Sequence, residues 1–171
     1  PKVVLEPIPL EALEAPEGSA TFGVSKIQDF TWKDLLDLYA CAVCGRCHVN
    51  CPAQLTGKTL SPREVIHNLK EHLLEAGPAL LANKAEPSSE SQAETLSETQ
   101  ASTPTKSPTK SMIGDAVTEE EIRACTTCGA CQEVCPVNIE HIRKIIELRR
   151  NLVLTQSKMP ESAQLMLRNM Q

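Results

Sequence analysis

Two short cysteine blocks dominate this sequence and contain all eight of its cysteines. The first is CAVCGRCHVNCP at 41–52, and the second is CTTCGACQEVCP at 125–136. Both read C-x2-C-x2-C-x3-C-P, and in both a glycine follows the second cysteine. An internal repeat constrains a fold more than any other sequence pattern. The fold must therefore place eight thiols on two equivalent loops.

The remaining composition favours a domain that is held together partly by bound metal. The chain has 171 residues, which is the size of one domain. Its four aromatic residues all precede the first block, so any later core is aliphatic and small. Such a core provides limited apolar burial, and a bound metal offsets that shortage.

Several functional classes are disfavoured by charge and by missing motifs. The formal net charge of -5 offers no broad basic surface, so we expect no nucleic-acid binding. No apolar run reaches the roughly 18 to 20 residues that a membrane-spanning helix needs. The first residues do not resemble a signal peptide, and we expect a reducing, cytoplasmic-side location. Without a nucleophile and base pair, phosphate loop or nucleotide fingerprint, we expect no catalytic pocket in this chain.

Helix signals lie before and after the first block. Thr31 and Asp34 form a capping-box pattern. Apolar residues then recur at helical spacing, and they are Trp32, Leu35, Leu36 and Tyr39. After the block, Ser61 is a predicted N-cap, followed by Pro62 at the first helical position. The apolar face of this second helix is Val65, Ile66, Leu69 and Leu73. Gly77 with Pro78 predicts its end, and the alternative is one further turn from Ala79 to Ala82.

The second block has a similar setting. Thr118 and Glu121 repeat the capping-box pattern and start a short helix that leads to Cys125. A helical stripe follows and ends at Arg149 and Arg150; it consists of Ile139, Ile142, Ile145, Ile146 and Leu148. A last amphipathic helix is predicted after Pro160. No strand alternation is present, so the predicted class is all-α.

The domain prediction divides the chain into four parts. Residues 1–30 form an N-terminal extended segment, and residues 31–83 form the first half of the cysteine-rich domain. Residues 84–116 are a disordered polar linker, rich in Ser, Thr, Pro and Glu. Residues 117–171 form the second half and a C-terminal helix.

The spacing of the blocks favours two [4Fe-4S] clusters. A C-x2-C-x2-C loop can supply three thiolates to one cube, and in two-cluster ferredoxins the fourth cysteine ligates the other cluster. The predicted ligands of cluster 1 are Cys41, Cys44, Cys47 and Cys135. Those of cluster 2 are Cys125, Cys128, Cys131 and Cys51. This cross-ligation would make the two halves depend on each other.

Two other interpretations of the blocks are weaker. Structural zinc sites use two separated C-x2-C pairs, which leaves the third cysteine of each triplet without a role. Disulfide frameworks belong to secreted domains with scattered cysteines. His48 is a conceivable ligand, although both blocks are complete without it, so it is predicted to be a loop residue. His67, His72 and His141 are predicted to lie at the surface or at an interface.

Three segments resemble the dicluster module of heterodisulfide-reductase-related iron-sulfur oxidoreductases. They are residues 22–81, residues 119–150 with the wording ACTTCGAC and CPVNIEHI, and NLVLTQSKMP at 151–160. The module is also similar to the heterodisulfide reductase C subunit and to the helical half of the succinate dehydrogenase iron-sulfur subunit. The resemblance implies an α-helical ferredoxin-like domain with two [4Fe-4S] clusters.

The resemblance also implies a role in electron transport. Related modules are flanked by a cytochrome-b-like membrane region and by cysteine-rich CCG domains. We therefore expect an electron-transfer segment of a membrane-associated oxidoreductase. It would relay electrons from a quinone- or haem-side partner to a CCG or flavoprotein partner, or in the reverse direction. An electron-transfer flavoprotein is one of the expected flavoprotein partners. The alternatives are a stand-alone soluble dicluster ferredoxin and a structural iron-sulfur or zinc module that organises an interaction surface.

Overall fold

The computed structural model describes residue 5 and residues 7–8, 22–84 and 111–170. Secondary structure in these ranges is helical, and the β pairing in them is one isolated bridge between Ile113 and Val117. The predicted all-α class is therefore confirmed for the described residues. None of the helices in these ranges is long and apolar enough to cross a membrane.

Each half of the domain repeats the order helix, cysteine loop with a short helix, and longer helix. The helices in chain order are α1 Trp32–Ala40, α2 Arg46–Val49, α3 Pro52–Leu55, α4 Pro62–Lys84, α5 Glu119–Ala124, α6 Ala130–Glu133, α7 His141–Arg150 and α8 Glu161–Asn169. A 3-10 turn at Ile27–Asp29 precedes α1, and a π-helical turn at Asn151–Thr155 continues α7.

Both predicted capping boxes are present, and each starts a helix that ends at a cysteine block. The Thr31 hydroxyl accepts from the Asp34 N–H at 3.3 Å, and α1 ends at Cys41. The Thr118 hydroxyl accepts from the Glu121 N–H at 3.3 Å, and α5 ends at Cys125. The caps satisfy N–H groups that have no partner inside the helix, so both helices start at a defined residue.

Helix α4 is longer than predicted. Its start is as expected, because the Ser61 hydroxyl accepts from the Glu64 N–H at 3.3 Å. The predicted stop at Gly77 and Pro78 is wrong, since the helix continues to Lys84. Proline removes one hydrogen bond, to the carbonyl four residues earlier. That carbonyl belongs to Leu74, which is 53% exposed, so solvent can replace the missing donor.

Helix α1 turns most of its apolar residues outward. Trp32, Leu36 and Tyr39 are 76%, 56% and 53% exposed, whereas Leu38 is fully buried and Leu35 is half-buried. The helix was predicted correctly, but its apolar stripe does not mark the buried face. The buried face carries charged side chains in addition to Leu38.

The charged residues on α1 are paired with a buried lysine from α7. The Lys144 Nζ lies 3.2 Å from Asp34 Oδ1 and 2.8 Å from Asp37 Oδ2, and the lysine side chain is fully buried. The Glu140 backbone N–H also donates to Asp37 Oδ2, at 3.1 Å. Burying charges in this way requires close partners for each of them. The network fixes α1 against α7, and so it joins the two halves.

The N-terminal boundary of the domain lies earlier than predicted. Residues 22–30 were assigned to an extended segment, but Val24, Ile27 and Phe30 are buried in the main core. The Val24 N–H donates to the Glu147 carbonyl of α7 at 3.1 Å. This stretch therefore packs as part of the domain, and the remaining predicted segment falls mainly outside the described residues.

The predicted linker also overlaps the folded domain at both ends. Lys84 is the last residue of α4. Residues 111–116 form a turn in which Met112 is buried and the Val117 N–H donates to the Met112 carbonyl at 3.0 Å. The structure thus resumes at Ser111, and residues 85–110 lie outside the described residues.

The last two predicted helices are present. On α7 the apolar stripe is buried at Ile142, Ile145 and Leu148. Helix α8 follows Pro160, and all of its described side chains are at least partly exposed. Helix α7 therefore belongs to the core, whereas α8 adds little to it.

Candidate metal centre

The two cysteine loops have the same backbone conformation. Gly45 and Gly129 take φ values of +80° and +86° directly before the short helices α2 and α6. Val43 and Thr127, two residues earlier, also have positive φ, at 53° and 57°. This conformation favours glycine, and it folds each loop tightly over its own sulfurs. The sequence repeat is therefore also a structural repeat.

One cavity contains the first cysteine set. It has an empty volume of about 330 Å³ and lies between the first loop and the chain that follows the second block. Four cysteines line it, and they are Cys41, Cys44, Cys47 and Cys135. The fourth comes from the other half of the sequence, 88 positions after Cys47.

A second cavity contains the remaining four cysteines. It has an empty volume of about 320 Å³ and lies beside the second loop. Its cysteines are Cys51, Cys125, Cys128 and Cys131. The structure therefore brings together the same two groups that the cross-ligation prediction requires, although ligation itself stays a prediction.

The eight thiols are free, and burial makes the innermost ones hard to ionise. Burial, with the neighbouring Cys41 sulfur, raises the pKa of Cys47 to about 11. Burial, with the neighbouring Cys125 sulfur, raises the pKa of Cys131 to about 12. A coordinated metal supplies the positive charge that a buried thiolate needs. These thiols are therefore suited to binding a metal and not to acting as nucleophiles in solution.

The spacing of the sulfurs suits a cluster better than a single ion. Among the residues that the structure describes, no three cysteine sulfurs lie within 4.8 Å of one another. Four thiolates around one zinc, at Zn–S distances of about 2.3 Å, place the sulfurs about 3.8 Å apart. An iron-sulfur cube has one thiolate at each iron and fills the space between them. A cube therefore matches thiols that lie farther apart than the ligands of one zinc ion.

Backbone N–H groups point at two of the sulfurs. The Thr127 N–H donates to Cys125 Sγ and the Ile139 N–H donates to Cys135 Sγ, both at 3.4 Å. Hydrogen bonds to cluster sulfur ligands favour the more negative, reduced state. Each cavity thus has at least one backbone donor to a cysteine sulfur.

The two cysteine sets are adjacent through their third cysteines. Cys47 and Cys131, one from each set, belong to one small apolar cluster with Ile142. Helices α2 and α6, which carry these two cysteines, pack against each other. The arrangement places one buried cysteine of each set beside the other.

The structure corrects two predictions about side chains near the loops. His141 is buried and lines the first cavity, where burial lowers its pKa to about 4, so the surface prediction is wrong. Arg149 does more than end a helix, because its Nη2 donates to the carbonyls of Ile122 at 2.6 Å and Cys125 at 2.8 Å. Both corrections result from contacts that are distant in sequence.

The remaining histidines and an acidic group are not part of the thiol cavities. The Nδ1 atom of His48 lies 2.8 Å from the Ser61 hydroxyl, and the residue belongs to the short helix α2, so the loop prediction is wrong for it. The oxygens of Asp34, Asp37 and Glu140 lie within 4.8 Å of one another. The ammonium group of Lys144 already supplies positive charge there, so this group needs no metal ion.

Sequence reasoning missed two arginines beside the first set. Arg46 and Arg63 both line the first cavity. Arg46 is visible in the block as its only basic residue other than His48. Arg63 lies in the first turn of α4, and no local pattern connects it with the cysteines.

Known proteins support this description of the site. The family model for the 4Fe-4S dicluster domain matches residues 37–139, which is more than half of the chain. The EtfAB:quinone oxidoreductase of Syntrophomonas wolfei is 47% identical over 156 residues, covering 91% of this chain. The probable iron-sulfur-binding oxidoreductase FadF of Bacillus subtilis is 43% identical over 158 residues, covering 86%.

A third relative is the probable membrane-anchored ferredoxin of Chromohalobacter salexigens, 33% identical over 152 residues and covering 88% of this chain. The chain spans 22% of the length of each of these three relatives. No solved structure matches it significantly. The predicted resemblance to iron-sulfur oxidoreductases is confirmed. The chain belongs to the 4Fe-4S dicluster domain family, and its relatives include iron-sulfur oxidoreductases.

Proposed function

We propose that this module relays electrons one at a time through two [4Fe-4S] clusters. Cluster 1 takes its ligands from the first cavity and cluster 2 from the second, which are the cysteine sets defined above. The relay connects a membrane, quinone or haem-side partner to a cysteine-rich or flavoprotein partner. One relative's name joins EtfAB to quinone and another contains the words membrane-anchored, which supports this placement.

The observation that carries the proposal is the sorting of the thiols. Eight cysteines from two blocks divide into two sets of four, and each set takes three members from one block and one from the other. A structural zinc site would not require this exchange. The exchange also brings Cys47 and Cys131 into one apolar cluster, where two redox centres would be close enough to share an electron.

The chain's own residues hold, shield and orient the ligands. Pro52 and Pro136 follow the fourth cysteines and lack an N–H that the site would have to satisfy. Ile142 and Ile145 cover the second cavity from α7, which keeps water from its inner wall. When bound, the iron-sulfur clusters supply the one-electron redox chemistry, and the protein sets their spacing and environment.

Metal and redox analysis tests the proposal. The protein is reconstituted anaerobically, and its iron, sulfide and zinc contents are measured. We expect about eight irons and eight sulfides per chain, as two four-iron clusters require. We also expect reversible reduction within roughly -700 to +450 mV, the range of such clusters.

Each contrary result has a distinct meaning. Stoichiometric zinc, or about four irons with every cysteine intact, would contradict the two-cluster assignment. Two clusters without reversible reduction would favour the structural alternative. A fully reducible protein that exchanges no electrons with a quinone- or flavin-containing partner would contradict the relay and leave the cluster assignment standing.

A further inference from the structure

The two thiol cavities have differently charged walls. Besides its cysteines, the first cavity is lined by Arg46, Arg63 and His141, and no carboxylate faces it. The second is lined by uncharged residues such as Pro52, Leu60 and Thr126. The cysteines are the only ionisable side chains that line it. The two loops are otherwise close structural repeats, so this difference separates the two sites.

Arg63 reaches the first loop from outside it. A Cβ atom placed on Gly45 would lie 3.9 Å from Arg63 Nη1, which locates this guanidinium directly beside the loop. Glu64 forms an ion pair with Arg63 but does not line the cavity. Arg46 begins α2, one residue after Gly45, and is exposed. Two positive charges from separate helices therefore face one thiol set.

The two sets also differ in burial. The three cysteines of each triplet have matching exposure: the first is half-buried, the second exposed and the third buried. The fourth members differ, because Cys51 is buried and Cys135 is half-buried. The second set is therefore the more buried one, and no cation lines its cavity.

The cation near the second set is already engaged. The Arg149 guanidinium donates to the carbonyls of Ile122 and Cys125 and does not line the second cavity. Its charge still acts on the second set, because it opposes the rise that burial causes in the pKa of the Cys125 thiol. At the first cavity, Arg63 donates through Nε and Nη2 to Glu64 Oε1, so its charge is also partly neutralised, and Arg46 is the exposed cation there.

We propose that Arg46 and Arg63 make the first site the higher-potential one, so that a single electron in the module resides at the Cys41 set. Reduction adds negative charge, which nearby guanidinium groups stabilise and burial without cations destabilises. The inference rests on the proposed two-cluster function. In the internal step, the second site loses one electron and the first gains it, and no proton or atom is transferred.

A potentiometric titration with dithionite as reductant, followed by electron paramagnetic resonance, tests the inference. Cys44→Ser and Cys128→Ser, at matched exposed positions, show which reduction step belongs to which site. The first site should be reduced first. Arg63→Gln and Arg46→Gln should each lower its reduction equilibrium about tenfold, or about 59 mV for one electron, and leave the second step within twofold.

Two further variants separate charge from structure. Arg63→Lys keeps the charge and should hold the first step within twofold of the unmodified protein. Arg168→Gln removes a charge from α8, away from both cavities, and should move neither step. If Arg63→Gln fails to bind clusters, the exposed Arg46→Gln provides the same test.

The inference is overturned if the second site is reduced first, or if neither arginine variant moves the first step by more than twofold. Equal shifts of both steps would also overturn it. All of these results are obtained only when the protein binds two reducible clusters. If two reducible clusters are not found, the proposed function itself fails, which is a different outcome.

Discussion

At the scale of single residues, the buried charge of Lys144 places the strictest requirement on the fold. Its ammonium group is fully buried between the carboxylates of Asp34 and Asp37, which come from the other half of the sequence. Removing one member of a buried charge group leaves its partners unpaired in a poorly solvated position. We expect Lys144→Met to lower the free energy of unfolding by about 3 to 5 kcal/mol.

The measurement is urea unfolding of the cluster-loaded protein under anaerobic conditions. Lys158→Met is the matched control, because Lys158 is 54% exposed and its ion pair with Glu119 is at the surface. Exposed pairs contribute about 0 to 1 kcal/mol. If the two variants lose the same stability, Lys144 is not the structural link between the halves.

His141 predicts a specific dependence of stability on pH. Burial lowers its pKa to about 4, against an ordinary value of about 6.5. The unfolded chain therefore binds this proton first, so the stability contribution is complete above pH 6.5. It falls as pH drops from 6.5 towards 4, by about 1.4 kcal/mol per pH unit.

Unfolding measured at pH 7.5 and pH 5.5 tests this dependence. His141→Gln should remove about 1 kcal/mol of the difference between the two pH values. His72→Gln should leave the difference unchanged, since His72 lies on α4 and does not line either thiol cavity. An unchanged pH difference in His141→Gln would show that another group is responsible.

At the scale of elements, helix α1 allows a test within one turn. Leu38 is fully buried, and Leu36, two positions earlier, is 56% exposed. Truncating a buried leucine leaves a cavity and costs about 2 to 5 kcal/mol. We expect that loss for Leu38→Ala and a change within about 0.5 kcal/mol for Leu36→Ala.

Unfolding of the two variants side by side decides which face of α1 is inside. The reverse order of stability losses would mean that the face with Trp32, Leu36 and Tyr39 is the packed one. Equal small losses would mean that α1 contributes little to the core.

The elements also show where sequence reasoning succeeds. Caps such as Thr31 with Asp34 are local, because residues three apart satisfy each other, and they were predicted correctly. The buried face of α1 was not predictable, since Asp34 and Asp37 look like solvent-facing residues until Lys144 is placed beside them. Pro78 was read as a stop by local rules, and the helix continues past it.

At the scale of the whole molecule, the site was more predictable than the packing around it. Eight cysteines in two repeated blocks predict which residues would hold a metal, whatever helices carry them. The charges on the cavity walls depend on contacts such as Arg63 with the first loop, from an element that begins ten residues after the block. Such contacts follow from the tertiary fold and have no sequence period.

The whole-molecule claim is that each half supplies one ligand to the other half's cluster. Cys135 lies in the first cavity and Cys51 in the second. Each substitution should therefore damage the cluster that is bound mainly by the other block. This behaviour distinguishes one integrated domain from two neighbouring ferredoxin loops.

The most direct test compares electron paramagnetic resonance spectra of four single variants after the same reconstitution and reduction. Cys44→Ala and Cys128→Ala, the matched exposed positions, give the reference spectra for damage to the first and the second set. The account predicts that Cys135→Ala reproduces the Cys44→Ala spectrum and Cys51→Ala reproduces the Cys128→Ala spectrum. The opposite pairing, with Cys135→Ala resembling Cys128→Ala, would contradict cross-ligation.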